Sequence, residues 1–103
     1  MIKYDKLIRD RIPEIIEKSG KEYQIHTVDR DTTIEYLIKK FDEELTEFKE
    51  AYSKVELADV LELIHGLAYQ LEYDMEEIEK IRLDKRKKRG GFENRIILDH
   101  VLD

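Results

Sequence analysis

Four acids, in two pairs, carry the chemistry this chain offers. Glu44 and Glu47 are three residues apart, and so are Glu56 and Asp59. On a helix such spacing places both members of a pair on one face. If two consecutive helices each present a pair and pack antiparallel, four carboxylates converge. Such an oxygen-rich site suits a hard divalent cation. Mg²⁺ in particular keeps waters and bridges carboxylates to substrate phosphates. Glu43 precedes the first pair and Glu62 follows the second. Residues 42 to 62 hold eight acids and two bases, while the remainder of the chain is balanced, so the formal net charge of −6 sits in this one region. It attracts cations rather than nucleic acid.

Each acid also has a plainer reading. An acid-rich helix face is usually only solvated. Glu56 in addition completes Ser53-Lys54-Val55-Glu56, a capping box with Glu56 at its third helical position. The pattern leaves open whether Glu56 is a ligand, a cap or both. Its phase adds weight to the ligand role. Glu56, Val60, Leu63 and Leu67 form one row, so an acid heads an otherwise apolar line. Acids beside buried rows are expensive unless something neutralises them.

The elements that must position these acids are helical. The chain has 103 residues, enough for one small domain over 1–103, with 43% charged and 41% apolar residues. Four Gly and one Pro fit long helices with few breaks. A first helix is predicted over Arg9 to Lys18, with Gly20 closing it. The alternation in EYQIHTVDR predicts a short extended segment near 22–29. A second helix is predicted to begin near Asp31 or Thr32, either of which caps well. Its stripe of Ile34, Ile38, Phe41, Leu45, Phe48 and Tyr52 falls within roughly 40° of one line. The third helix, Lys54 to Leu71, carries a main stripe of Leu57, Leu61, Ile64, Ala68 and Leu71 and a second one of Val60, Leu63 and Leu67. A helix apolar on two sides needs neighbours on both. The fourth is predicted from Asp74 to Lys88, ended by Gly90-Gly91, and FENRIILDHVLD follows as a tail expected to dock through its apolar centre. The expected fold class is all-α, a four-helix bundle with short connections, and the two-sided third helix suggests a homodimer or homotetramer.

Other features bound the function. No Cys is present, so disulfides and thiolate chemistry are excluded. No apolar run approaches the roughly 20 residues of a membrane span, and the charged N-terminus lacks the apolar segment of a signal peptide. A cytoplasmic protein with no membrane partner and no nucleic-acid partner is expected. His26, His65 and His100 have no metal-ligand spacing, and core packing explains each Tyr better than base stacking.

The acids also carry a family resemblance. EELTE followed by ELAD resembles the EExxE…ExxD signature of the MazG-like, all-α nucleoside triphosphate pyrophosphatases. The superfamily includes phosphoribosyl-ATP pyrophosphohydrolase and the all-α dUTPases. YDKLIRDRIPEII near the start and RGGFENRIIL near the end are similar to the small phosphoribosyl-ATP pyrophosphohydrolase-like, house-cleaning branch, so the resemblance covers nearly the whole chain. It implies a MazG fold and hydrolysis between the α and β phosphates of a nucleotide substrate, giving a nucleoside monophosphate and pyrophosphate. Mg²⁺, with Mn²⁺ as a substitute, would be held by Glu44, Glu47, Glu56 and Asp59. Glu43 or Glu47 would orient or deprotonate the attacking water, and Glu62 would support a ligand. The eight residues between Glu47 and Glu56 are fewer than is typical of the family, so the connection must be tight.

A triphosphate also needs cationic side chains. Lys6, Arg9 and Arg11 are candidates, although Asp5, Asp10 and Glu14 are interleaved with them and offer salt-bridge partners. Lys88 and Arg89 end a basic run that also suits a helix C-terminus. Two other functions are consistent with the residues: a phosphoribosyl-ATP-type substrate, and a non-enzymatic helical module whose acidic face docks on a basic partner.

Overall fold

The computed structural model describes residues 2 to 102. Met1 and Asp103, the ends of the expected 1–103 domain and of the tail, lie outside the described residues. Four helices and no strand are formed among the described residues: α1 (Ile12–Lys18), α2 (Arg30–Ala51), α3 (Lys54–Gln70) and α4 (Met75–Arg89). The chain is all-α. Its backbone divides into two compact units, one ending at Glu72 and the other starting at Tyr73.

In the first unit, α1 starts three residues later than expected. A start at Arg9 would require an N–H that Pro13 lacks and would press its ring against the Arg9 carbonyl. Starting at Ile12 puts Pro13 in the first turn, where no N–H is needed. Gly20, at φ +81°, follows the helix, and its N–H donates to the Glu17 carbonyl at 3.0 Å. The segment expected to be extended, 22–29, forms no strand. It is irregular, and Tyr23, Ile25 and Val28 are exposed. An alternating pattern needs a second strand to pair with, and the described residues hold none.

Asp29, not Asp31 or Thr32, caps α2. Its Oδ1 accepts from the Thr32 N–H at 2.8 Å, and Asp31 becomes a first-turn acid that complements the helix dipole. The helix ends at Tyr52, a left-handed residue (φ 51°, ψ 39°). Ser53 then caps α3, so two residues connect 22-residue α2 to 17-residue α3. So short a connection makes the pair an antiparallel hairpin, the principal helix packing of this unit. Within this unit the hairpin of α2 and α3 is the helix packing on which the acids are carried.

The packed rows differ from the expected ones. On α2 the buried residue is Leu37, with Phe41, Glu44 and Phe48 half-buried along the same face, while Ile38 (55%) and Leu45 are exposed. On α3 the inward row is the second stripe. Leu63 is buried and Val60 and Leu67 are half-buried, whereas Leu57 (52%), Leu61 (54%) and Ile64 are exposed. Ala68 completes the core. Gly66 explains the choice: a Cβ there would stand 3.3 Å from Leu37 Cδ2, so its bare backbone admits Leu37 against α3. Of the longer apolar stripe of α3, Ala68 is buried, while Leu57, Leu61, Ile64 and Leu71 are left exposed.

In the second unit, Asp74 Oδ1 accepts from the Glu76 N–H at 2.9 Å and starts α4. Gly90, at φ +82°, ends it. The tail that was expected to dock is instead exposed along its described length, with Phe92 at 97% and Ile96 at 82%.

Candidate functional site

Glu44 and Glu56 lie on the two rows that face each other in the hairpin. Glu44 continues the Leu37–Phe41 row of α2, and Glu56 heads the Val60–Leu63 row of α3. Both residues are half-buried. One oxygen of each, Oε2, is buried with no hydrogen-bond partner among the described residues. Buried carboxylate oxygens are nearly always partnered, and an unpaired one is costly. Two such oxygens in one hairpin are the strongest polar anomaly of the first unit.

Electrostatics sharpen it. Burial, first, and then the charges of Glu47 and Asp59 push the Glu44 pKa up from its ordinary value, a side-chain hydrogen bond with Glu47 adds to the rise, and Lys40 pulls the other way. The structure thus places Glu44 beside its helical partner Glu47 and beside Asp59 of the facing helix. Asp59 has a cation already: Arg9 Nη2 donates to its Oδ1 at 2.8 Å. Glu56 is not bound up in a capping box. Ser53 Oγ accepts from the Val55 N–H at 3.1 Å, and the Glu56 carboxylate accepts none from the Ser53 N–H. The cap and the acid are therefore separate features, with Ser53 serving the helix and Glu56 left free.

Convergence is partial. Among the described residues no group of three or more His, Asp and Glu side chains is gathered tightly enough to enclose an ion. Glu44, Glu47 and Asp59 are neighbours without forming a closed cage. The four acids offer oxygen donors only, the type a hard cation selects, and the Oε2 atoms of Glu44 and Glu56 have no hydrogen-bond partner among the described residues. Glu43 and Glu62 are exposed on the outer sides of their helices.

The expected phosphate ligands separate into four settings. Arg9 reaches the acids. Arg11 pairs instead with Glu14, through Nε to Oε2 and Nη2 to Oε1, both at 3.2 Å, which together with Lys18 holds the Glu14 pKa down. Lys6 stands over the Tyr4 ring at 5.3 Å. Lys88 and Arg89 lie in the last turn of α4, in the second unit, where they complement the helix dipole. His65 is exposed on α3, as are His26 and His100 elsewhere.

Two contributors went unread in the sequence. Lys40 precedes Glu44 by one turn, an i, i+4 spacing that was available as a signal. Tyr36 Oη donates to Asp5 Oδ1 at 2.7 Å across 31 positions, and no local pattern marks that contact. An open groove beside the last turns of α2, lined by Asp42, Leu45, Thr46, Phe48, Lys49 and Tyr52, includes none of the four paired acids. Comparison of the chain with family models, with curated proteins and with solved structures gave no match.

Proposed function

We propose that the protein is a Mg²⁺-dependent nucleoside triphosphate pyrophosphohydrolase of the MazG-like all-α kind, cleaving between the α and β phosphates. One observation carries the reading: the unpartnered Oε2 atoms of Glu44 and Glu56 on the facing rows of one hairpin. A solvated acidic face leaves its oxygens in water, whereas these are withdrawn from it. The ordered motifs around them, from YDKLIRDRIPEII to RGGFENRIIL, support the same reading.

Glu44, Glu47, Glu56 and Asp59 would hold the cation. When bound, a divalent ion neutralises these carboxylates and the substrate phosphates and acidifies nearby water. The remaining work falls to this chain. Glu47, beside Glu44, or the exposed Glu43 accepts the proton of the water that attacks the α-phosphorus. The bond from that phosphorus to the bridging oxygen breaks, and pyrophosphate leaves with the electron pair. Arg9 is the cationic side chain nearest the acids and stabilises the departing charge. The exposed stripe Leu57, Leu61 and Ile64 supports assembly into a homodimer or homotetramer.

The test is pyrophosphate release from a panel of canonical and damaged nucleoside triphosphates with Mg²⁺. Turnover of at least one, lost in Glu56→Gln with the helical signal retained, is the expected result. A panel with no turnover and no calorimetric Mg²⁺ or Mn²⁺ site would favour a helical interaction module instead.

A further inference from the structure

Residues 2–9 have no regular structure, yet two polar clasps tie their neighbourhood to the hairpin. Tyr36 on α2 holds Asp5 at 2.7 Å, and Asp59 on α3 holds Arg9 at 2.8 Å. Leu7 and Ile8 between them are half-buried. The segment is a strap with Arg9 at the acidic end. Of the three cations expected to serve phosphate from this segment, Arg11 is engaged by Glu14 and Lys6 by the Tyr4 ring. Arg9 alone stands on a candidate ligand.

The Arg9–Asp59 contact is built to be exchanged. It is a single hydrogen bond from Nη2 rather than a two-pronged fork, and the side chains are 61% and 34% exposed. Pairs of this kind are weak. The Asp5–Tyr36 clasp keeps the strap in place when the Arg9 bond opens, so the guanidinium remains near. An arginine matches phosphate oxygens better than it matches one carboxylate oxygen. We propose that Arg9 is a displaceable counter-cation: Asp59 exchanges it for a divalent ion, and the released guanidinium then takes a phosphate of the substrate. The proposal rests on the pyrophosphohydrolase reading above and assigns Arg9 two partners in sequence.

The exchange predicts a sign that a purely structural ion pair does not. With Mn²⁺ alone, titrated calorimetrically without nucleotide, Arg9→Gln should bind the ion about two- to fivefold more tightly than wild type, because a competing cation is gone. Arg9→Lys keeps the charge and should bind near the wild-type value. With Mn²⁺ present, a non-hydrolysable nucleoside triphosphate should bind Arg9→Gln more weakly than wild type. Equal or weaker Mn²⁺ binding by Arg9→Gln, or nucleotide binding no weaker than wild type, overturns the proposal and leaves the pyrophosphohydrolase reading standing. Absence of any saturable Mn²⁺ site in wild type overturns both.

Discussion

Glu44 and Glu56 differ from the acids around them because packing, not composition, sets their surroundings. Both are on inward rows, and each hides one oxygen without a partner. Replacing Glu56 by Gln removes a partly withdrawn charge without touching the Ser53 cap, which runs through Val55. Glu56→Gln should therefore keep or slightly raise the thermal midpoint of the metal-free protein while abolishing divalent binding. Circular dichroism melting and calorimetry on one preparation check both halves. Glu44 supplies a pH dependence. Its folded pKa is raised above the ordinary 4.5, so the protonated form is the one folding favours. Its favourable contribution is complete below 4.5 and is lost as pH rises through the raised folded value. Measured against Glu44→Gln, the wild-type midpoint should fall progressively over that window and then run parallel. The carboxyls whose pKa is lowered (Glu14, Asp29, Glu79 and Glu93) are common to both proteins and cancel.

The hairpin of α2 and α3 depends on two local devices. Tyr52, left-handed, ends α2 and Ser53 starts α3, and Ser53→Ala should cost about 1 kcal/mol in denaturant unfolding. Gly66 sets how near Leu37 comes. At 3.3 Å from Leu37 Cδ2, an added Cβ is tight but faces a side chain rather than backbone. Gly66→Ala gains up to about 1 kcal/mol of helix propensity, which offsets the crowding, so a small net change is expected. Gly66→Val adds branched bulk to the same spot and should destabilise by about 1–3 kcal/mol. The same series identifies which face of α3 packs. Leu63→Ala should be costly, about 2–5 kcal/mol, whereas Leu61→Ala should be nearly neutral in a dilute, unassembled chain.

At the scale of the whole molecule, the described chain buries little: Leu37, Leu63 and Ala68 are its buried apolar residues, and none is a large side chain fully enclosed. Leu57, Leu61 and Ile64 of α3 remain exposed. If assembly covers them, the thermal midpoint should rise with protein concentration, and Leu61→Asp should abolish that rise while shifting sedimentation to the monomer. If Mg²⁺ binds as proposed, the same linkage should add about 2.7 kcal/mol at roughly a hundredfold excess over Kd, read as a rise in the thermal midpoint.

Much of the local structure was legible in the chain alone. Ser53 and Asp74 mark the starts of α3 and α4, and Gly20 and Gly90 follow α1 and α4, because caps and left-handed turns are decided by a few adjacent residues. The all-α class followed from apolar periodicity. Asp29 was passed over in favour of Asp31 and Thr32 because all three satisfy the same local rule, and only the hydrogen bond selects among them. The paired acids were visible as spacing. Their separation into unequal roles was not: Glu44 and Glu56 turned inward, Asp59 held by Arg9 from 50 positions away, and Glu43 left outside. Periodicity tells which residues share a face but not which face meets the neighbour when a helix has two apolar sides. In the fold Leu37 packs against α3 at Gly66, a contact between helices that neither helix's own sequence encodes.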